Sequence, residues 1–412
     1  MYRLFTHPEH QSNWRIPVSH RHGVRQDRFI FIGGQSDLDE SGNVRNPGDL
    51  ARQCDAALAQ IEQCIAQLGG RTQDIVKLNV FYSGAGSDTE AALLRQIGRR
   101  MRGCAVPPVL SLVALERLPY PDMRITIDAF AIDNNDGLAP REAAKVPGHW
   151  PWPADAPFSH GVRCGELLLV AAQSARDASG AIVYPGDIVS QAQLTIENIG
   201  RVLAGMGADL DDVVKLNTWF VGQGTDEDWR RAARVRSEAF RYPGPGATGV
   251  PVARPYPDGA LIRQECWAMR GVDGRRLPRS LSWPVGHWDW PIPVSFQQGV
   301  KVGNWIFLGG QYACDVAGKA VHPDKRAEQT DMTMDYIESV LAGFGATMDD
   351  LIKTTCFYKS DGTPEALHTN LELRSRRFKA PANASTSVSL ETMGLEGLML
   401  EIEGIALVGG NQ

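Results

Sequence analysis

The chain has 412 residues, of which 43% are hydrophobic and 22% charged, with a formal net charge of −6. This length favours two to four domains of ordinary globular composition. An acidic balance argues against a general nucleic-acid partner, and no apolar run is long enough to span a bilayer. The start "MYRLFTHPEHQSNW" lacks the hydrophobic core of a secretory signal. We therefore expect a cytoplasmic protein that binds neither nucleic acid nor membrane.

The chain contains seven cysteines, an odd number, and they form no CxxC pair. Spacing of this kind favours neither a disulfide framework nor a zinc site. We expect buried, reduced thiols. No Walker loop, dinucleotide-binding glycine motif or nucleophile elbow is present either, so no cofactor is expected.

One string returns three times, as "DIVKLNVFY" (74–82), "DDVVKLNTWF" (211–220) and "DDLIKTTCFY" (349–358). The lysines in it are 138 residues apart (215 − 77, and 353 − 215). The same register relates these sets: Trp14, Trp152 and Trp290; Gly23, Gly161 and Gly299; Gln35, Gln173 and Gln311; Gly69, Gly207 and Gly345. A period of this size indicates repeated domains. We assign three units, at residues 1–135, 146–270 and 282–410, with polar linkers at 133–145 and 271–281.

Each unit predicts the same elements in the same order. A strand begins at the first repeated glycine, and a second strand such as "RFIFIGGQ" ends in a D-x-x-G hairpin turn. A long amphipathic helix follows and ends at the glycine of its C-cap. The lysine strand comes next, and then a second helix, near residues 89–101, 228–240 and 364–378. Two further strands close the unit, so the order is ββαβαββ and the class is α+β.

This order, with "GQ" ending the second strand and "VKLN" or "IKTT" after the first helix, resembles the RidA (YjgF) family. The resemblance covers nearly the whole chain. It implies chorismate-mutase-like units arranged about a threefold axis, with small-molecule pockets between neighbours. Three units in one chain therefore imply a covalent pseudo-trimer. Further pairing of such pseudo-trimers into a homo-oligomer stays open.

The three repeated lysines admit two interpretations. Lys77, Lys215 and Lys353 either lie at an interface, where each pairs with an acid from the next unit, or occupy solvent-facing strand positions. Trp–Pro arms such as "GHWPWP" and "GHWDWPIP" precede the second and third units, and Trp14 stands in the equivalent place in the first. These arms are expected to pack between units or to cap the pockets.

The resemblance implies hydrolysis of reactive enamines and imines, such as 2-aminoacrylate, to keto acids and ammonia. By position, the family's last-strand acid corresponds to Asp128, Glu265 and Glu403, which are the candidate catalytic groups. Alternatively, these acids are polar residues on a wet strand face. Glu401 and Glu403 share a face, as do Arg263 and Glu265, which would then pair with each other.

The family's carboxylate-binding arginine is absent from all three units. Its place is taken by Leu110, Ala247 and Ser385, which implies two apolar pockets and one hydroxyl-rich pocket suited to a neutral, amide-like ligand. Arg236 and Arg374 are one repeat apart on the second helix, and they are either substitute cations or surface residues.

The family's N-terminal tyrosine corresponds to His20, Phe158 and Phe296. His20 and His22, two apart on a predicted strand, would point the same way as a general base or half of a metal site. No third ligand lies nearby, so we predict no metal, and a structural hydrogen-bonding role is the alternative.

Taken together, the sequence predicts a hydrolase that acts on an imine, enamine or related C–N bond of a small metabolite. The alternative is a non-catalytic small-molecule binder or sensor, which the three missing arginines favour. A structural subunit of a larger complex is a third possibility. The sequence leaves the substrate open.

Overall fold

The computed structural model describes residues 3–6, 15–84, 86–135, 137, 140–156 and 158–409. Trp14 lies outside these residues. Unit 1 contains β1 Arg3–Thr6, β2 Gly23–Gln26, β3 Phe29–Gln35, α1 Leu50–Gln67, β4 Ile75–Ser83, α2 Ser87–Arg100, β5 Val109–Leu115 and β6 Ile125–Ile132. Unit 2 contains β7 Arg141–Ala143, β8 Gly161–Cys164, β9 Leu167–Gln173, α3 Ile188–Ala204, β10 Val213–Val221, α4 Asp226–Glu238, β11 Gly246–Val252 and β12 Ile262–Met269.

Unit 3 repeats the pattern with β13 Ser280–Ser282, β14 Gly299–Val302, β15 Trp305–Leu308, α5 Arg326–Ala342, β16 Leu351–Lys359, α6 Pro364–Ser375, β17 Ala384–Leu390 and β18 Leu400–Leu407. Short 3-10 turns at Thr72–Asp74, Leu210–Asp212 and Met348–Asp350 introduce the three lysine strands. The repeated glycines have positive φ, as a left-handed cap requires, but only Gly69 directly follows the helix cap. Gly207 and Gly345 come three residues after the last helical residue.

Each unit forms one six-stranded mixed sheet. In unit 1 the strand order is β1-β2-β3-β6-β4-β5, and units 2 and 3 have the same topology. Neighbouring strands are antiparallel except for the last pair, in which the lysine strand runs parallel to β5, β11 or β17. The α+β units of the predicted class are therefore present in triplicate.

Each sheet has one strand more than the sequence predicted. The additional edge strands β1, β7 and β13 are three or four residues long, and β7 lies within the segment interpreted as a linker. Strands this short carry no readable alternation of polar and apolar residues. They are nevertheless anchored. An arginine at the start of each strand, or just before it, donates hydrogen bonds to the backbone of another unit.

These arginines, Arg3, Arg141 and Arg279, are themselves one repeat apart and form what we call the arginine clamps. Arg141 Nη2 donates to the carbonyl oxygen of Asp74 at 3.0 Å, and Arg279 Nη1 to that of Val213 at 2.9 Å. Arg3 Nη2 donates to the carbonyl oxygen of Asp350 at 2.8 Å, so unit 1 reaches unit 3. The three units therefore close into a ring.

The lysine strand is buried on both faces. In unit 1, Leu78, Val80 and Tyr82 pack with α1 on the outer face of the sheet. Lys77 and Phe81 alternate with them and face the other two units, as expected for a strand with a period of two. In each unit the register with the last strand shifts just before the lysine, between Ile75 and Lys77 in unit 1, which is a bulge that can redirect a side chain.

Three seams join the units, and one isolated β-bridge between two units marks each seam. Seam 1/2 contains the bridge Val109–Ser159, seam 2/3 contains Gly246–Gln297, and seam 3/1 contains Arg21–Ala384. Backbone packing is close there: a Cβ on Gly33 would lie 2.5 Å from the Ser385 carbonyl oxygen. The glycines of the "GGQ" strand end thus allow the sheets to meet.

In the part of the chain that the structure describes, no helix combines the length and the apolar character that a membrane crossing requires.

Candidate active site at the seams between units

Three ion pairs surround the pseudo-threefold axis, and each links two units. Lys215 Nζ lies 2.8 Å from Glu403 Oε2, and Lys353 Nζ lies 3.0 Å from Asp128 Oδ2. Lys77 pairs in the same way with Glu265. Each lysine thus binds the acid of the next unit, which confirms the interface interpretation and excludes a solvent-facing position.

A hydroxyl group supports each of these pairs. Ser111 donates to Glu265, Lys215 donates to Thr248 at 2.5 Å, and Thr386 donates to Asp128 at 2.7 Å. Buried charges need such additional hydrogen bonds to offset their desolvation. Burial raises the pKa of Glu265, with Lys77 acting in the opposite direction.

The six charged side chains enclose one axial cavity of about 40 Å³. Phe130 and Trp267 line it on one side, and the aromatic rings of Phe81, Trp219 and Phe357 meet elsewhere between the units. The acids Asp128, Glu265 and Glu403, predicted to lie in separate seam pockets, are therefore brought together on the axis. Their carboxylates are held there in ion pairs that join each unit to the next.

Seam 2/3 contains a different carboxylate, Glu401, two residues before Glu403 on β18. Gly249 of unit 2 and Gly310 of unit 3 flank it, and a Cβ on Gly310 would lie 1.8 Å from Glu401 Oε1. Burial raises the pKa of Glu401 to about 8, and Lys215, the backbone N–H of Gly249 and Arg236 act in the opposite direction. This carboxyl group therefore holds a proton near neutral pH.

Arg236 from α4 approaches the same point. It was predicted to be a substitute cation or a surface residue, and it is 1% exposed. A Cβ on Gly249 would lie 3.0 Å from both of its terminal nitrogens, and its guanidinium lies 5.5 Å from the ring centre of Phe296. Burial lowers the pKa of Arg236 to about 10, with Glu401 acting against that shift.

Tyr312 completes this cluster. Its ring centre lies 4.1 Å from that of Trp288, with the two rings tilted by 33°, and its buried hydroxyl has no hydrogen-bond partner among the described residues. Burial raises the pKa of Tyr312. Glu401 also raises it, whereas Arg236 lowers it. An unsatisfied hydroxyl, a protonated carboxyl and a buried cation thus converge, an arrangement typical of a reactive site.

Seam 3/1 has the same framework with other side chains. Thr126 stands where Glu401 stands, and Ser385 and Ser387 stand where Ala247 and Gly249 stand. A cavity of about 50 Å³ opens here, with His22, Thr126, Ser385 and Ser387 among its walls. Ser385, which the sequence assigned to a hydroxyl-rich pocket, is one of the residues that line this cavity.

The two histidines of this seam have separate partners. His20 Nδ1 lies 3.1 Å from Asn383 Oδ1, and His22 Nδ1 lies 3.0 Å from Gln35 Oε1. Both precede β2 and do not lie within a strand. Burial, and then Arg374, lower the pKa of His20 to about 3, so it is neutral at physiological pH. No metal-binding group of three or more ligands exists among the described residues.

Seam 1/2 is closed by an ion pair. Arg263 occupies the position of Glu401 and forms two hydrogen bonds with Glu90, of 2.7 and 2.9 Å. It also bonds Asp258 at 2.9 Å and stacks 3.8 Å from the ring centre of Tyr256. The alternative in which Arg263 pairs with Glu265 is wrong, because Arg263 binds Glu90 and Asp258, whereas Glu265 binds Lys77 and Ser111.

The remaining predicted residues pack in the core. Leu110 and Phe158 belong to the apolar cluster of unit 1 and seam 1/2, and Ala247 is buried beside Gly309. The ring centres of Trp150 and Trp152 in the arm lie 4.9 Å apart. The ring centre of His160 lies 4.2 Å from that of Trp150 and 5.4 Å from that of Trp152. The arm of unit 2 therefore packs within the fold.

Sequence reasoning did not select Glu401 and Tyr312. A signal was present within the chain itself. The Glu403 position carries an acid in all three units, as a shared ion-pair layer requires, whereas the Glu401 position carries threonine, arginine or glutamate. Variation among the repeats at a buried position indicates that the seams have diverged.

The geometry defines a pseudo-trimeric α+β protein with polar sites between its units. The sequence model of the family described as Endoribonuclease L-PSP matches residues 16–133, 151–268 and 292–408. The chain belongs to this family, which confirms the resemblance to RidA (YjgF) proteins.

Curated relatives match the length of one unit. A RutC family protein of Pyrococcus abyssi is 32% identical over 114 residues, which cover 28% of this chain and 87% of the relative. The 2-iminobutanoate/2-iminopropanoate deaminase of Mus musculus is 25% identical over 118 residues, covering 29% of this chain and 84% of the relative.

One solved structure matches most of the chain. A chorismatase superimposes with a TM-score of 0.55 and 14% identity, covering 81% of this chain and 93% of the chorismatase. At this identity the similarity shows a shared fold.

Proposed function

We propose that the chain hydrolyses an imine, an enamine or a related C–N bond of a small metabolite at seam 2/3. Glu401 transfers the protons, Arg236 stabilises its carboxylate form, and Tyr312 binds the substrate. The observation that carries this proposal is the buried Glu401 carboxyl group between Gly249 and Gly310, beside a buried arginine. The deaminase relatives support the reaction class.

The chemistry needs one group that both gives and takes a proton. Glu401, protonated at neutral pH, donates its proton to the imine nitrogen, which makes the carbon more electrophilic. The resulting carboxylate takes a proton from the water that attacks this carbon, giving a carbinolamine. Glu401 then returns this proton to the amine nitrogen and the C–N bond breaks. The hydroxyl group of the former carbinolamine gives its proton back to Glu401, so that the carbonyl product and ammonia leave.

The neighbours of Glu401 stabilise the charged forms. Arg236 stabilises the transient carboxylate of Glu401, because a buried cation acts strongly where water is excluded. The free hydroxyl of Tyr312 can donate to an oxygen of the substrate. Metal ions and organic cofactors have no part in this scheme.

The test measures ammonia release above the spontaneous rate from an imine generated in the assay by an amino-acid oxidase. Glu401→Gln is expected to reduce the catalysed rate by about 100-fold or more, as loss of a general acid–base does. Glu396→Gln, in the exposed loop before β18, is the matched control and should keep full activity. Equal rates for Glu401→Gln and the native chain would refute the assignment.

A second candidate is a non-catalytic small-molecule binder. The observation that favours it is that the other two seams carry Thr126 and Arg263 in place of Glu401. A native chain that gains thermal stability with an imine analogue, but adds nothing to the spontaneous rate, would favour this binder.

A further inference from the structure

Arg374 of α6 is a buried cation without a counter-charge. It is 1% exposed, and it forms no ion pair with any carboxylate in the described part of the chain. Its Nε donates to Asn370 Oδ1 at 2.7 Å. Its terminal nitrogens donate to Ser385 Oγ and Ser387 Oγ, both at 3.0 Å. A buried charge held by neutral groups alone is costly, and an anion would compensate it.

The hydrogen bonds around Ser385 all run in one direction. Asn383 Nδ2 donates to Thr354 Oγ1 at 2.7 Å, and Thr354 Oγ1 donates to Ser385 Oγ at 3.3 Å. Ser385 Oγ thus accepts from both Thr354 and Arg374, so its own proton is left to donate elsewhere. Ser387 likewise accepts from Arg374. Two hydroxyl protons, polarised by one guanidinium, are available to a ligand.

Both serines line the seam 3/1 cavity of about 50 Å³. At roughly 10–15 Å³ for each water molecule, this is room for about four waters, or for a ligand of about five non-hydrogen atoms. The rest of the wall is largely apolar, with side chains from units 1 and 3, namely Leu38, Met123, Leu367 and Leu371. A ligand with one polar end and a short aliphatic tail fits these walls better than phosphate or sulfate.

We propose that seam 3/1 is a second ligand site, which binds a small aliphatic monocarboxylate and leaves it chemically unchanged. The carboxylate oxygens accept from Ser385 and Ser387, and the guanidinium of Arg374 supplies the compensating charge through these hydroxyls. The tail lies against the apolar wall. No proton-transfer group reacts with the ligand, because Thr126 stands where seam 2/3 has Glu401.

The ligand proposed here differs from the neutral, amide-like ligand that the sequence indicated for the pocket at Ser385. The uncompensated arginine behind the serines changes the expected ligand from an amide to an anion. The inference is independent of hydrolysis at seam 2/3, since the two sites share neither the arginine nor the ligand-binding hydroxyls.

The first experiment titrates propanoate and propanamide into the full-length chain by calorimetry. Propanoate is expected to bind at least about tenfold more tightly than propanamide, because its charge is paired in the complex. Crystals soaked in propanoate should show it between Ser385 and Ser387. Equal binding of the two probes, or no propanoate binding up to about 10 mM, overturns the proposal.

Two variants test the site, one by removing the cation and the other by introducing a carboxylate. Arg374→Met is expected to weaken propanoate binding at least about tenfold. Arg376→Met is its matched control, an exposed arginine at the end of the same helix, and should bind normally. Thr126→Glu keeps Arg374 and introduces the residue that seam 2/3 accommodates against Gly310, and its carboxylate should displace propanoate. If Thr126→Glu folds and still binds propanoate like the native chain, the site is refuted even should Arg374→Met fail to fold.

Discussion

Lys215 of unit 2 and Glu403 of unit 3 form an ion pair of 2.8 Å on the pseudo-threefold axis, with both side chains buried. The pair lies in the shared layer of six charges, where the side chain of Lys215 is 2% exposed and that of Glu403 is 10% exposed. Its energetic role differs from that of an ion pair on the surface.

Removal of one partner from this layer should be severely destabilising. Lys215→Met leaves the Glu403 carboxylate buried without its cation, and we expect a loss of about 3–5 kcal/mol in the free energy of unfolding. Urea denaturation measures it. The control Arg376→Met breaks an exposed pair with Glu372 and should cost about 0–1 kcal/mol. A small loss for Lys215→Met would show that water reaches the axis.

The ionisation of Glu401 should make stability depend on pH. Its folded-state pKa is raised from 4.5 to about 8, mainly by burial, so the folded state binds this proton more tightly than the unfolded chain. The contribution of Glu401 to the free energy of unfolding is fully present below pH 4.5 and is lost as the pH rises through about 8. Each unit of such a shift corresponds to about 1.4 kcal/mol.

Glu401→Gln keeps the neutral form at every pH and provides the comparison. Relative to the native chain, this variant should become progressively more stable between pH 5 and about 8, as thermal denaturation across this range would measure. A constant difference between the two proteins would mean that Glu401 titrates normally and is well solvated.

His20 should contribute a dependence of opposite sign. Its folded-state pKa is lowered from 6.5 to about 3 by burial and by Arg374, so the folded state resists protonation. The contribution is full above pH 6.5 and is lost as the pH falls towards 3. His20→Phe, which places here the residue of Phe158 and Phe296, should lose less stability between pH 6.5 and 4 than the native chain. An unchanged acid transition in this variant would place the sensitivity elsewhere.

The arginine clamps should hold the units together. Arg141→Ala removes the hydrogen bond to the carbonyl oxygen of Asp74, and we expect a loss of roughly 1–3 kcal/mol, measured by urea denaturation. Arg275→Ala changes an arginine that is 88% exposed and should be nearly neutral. Equal stability of the two variants would mean that β7 contributes nothing to the joint between units 1 and 2.

The repeat made much of this architecture predictable. The common register of Lys77, Lys215 and Lys353 made an interface pair with an acid of the next unit one of the two interpretations that the sequence left open, and the structure confirms that one. Variation among the repeats shows that the Glu401 and Glu403 positions differ, but it does not show which carboxylate lies at a seam. Alternation puts both on one strand face, but only the meeting of three sheets decides which carboxylate reaches the axis and which reaches a seam.

Two other features were hidden for physical reasons. Arg236 and Arg374 resemble surface residues in sequence because an arginine on an amphipathic helix usually is one. Their burial depends on how the helix packs on the strand that follows it, where Gly249 lies beside Arg236 and Ser385 beside Arg374. The edge strands β1, β7 and β13 are too short for a pattern, so the arginines that anchor them were the better signal.

The closed seam 1/2 has a consequence for how such a ring can be built. Arg263 needs Glu90, and the equivalent positions of the other units hold Asp228 and Ala366. If the three units were separate polypeptides, rings of every composition would form, and most would place this arginine opposite the wrong neighbour. Because a single polypeptide contains the three units in a fixed order, every molecule has the same cyclic order of units and one seam of each kind.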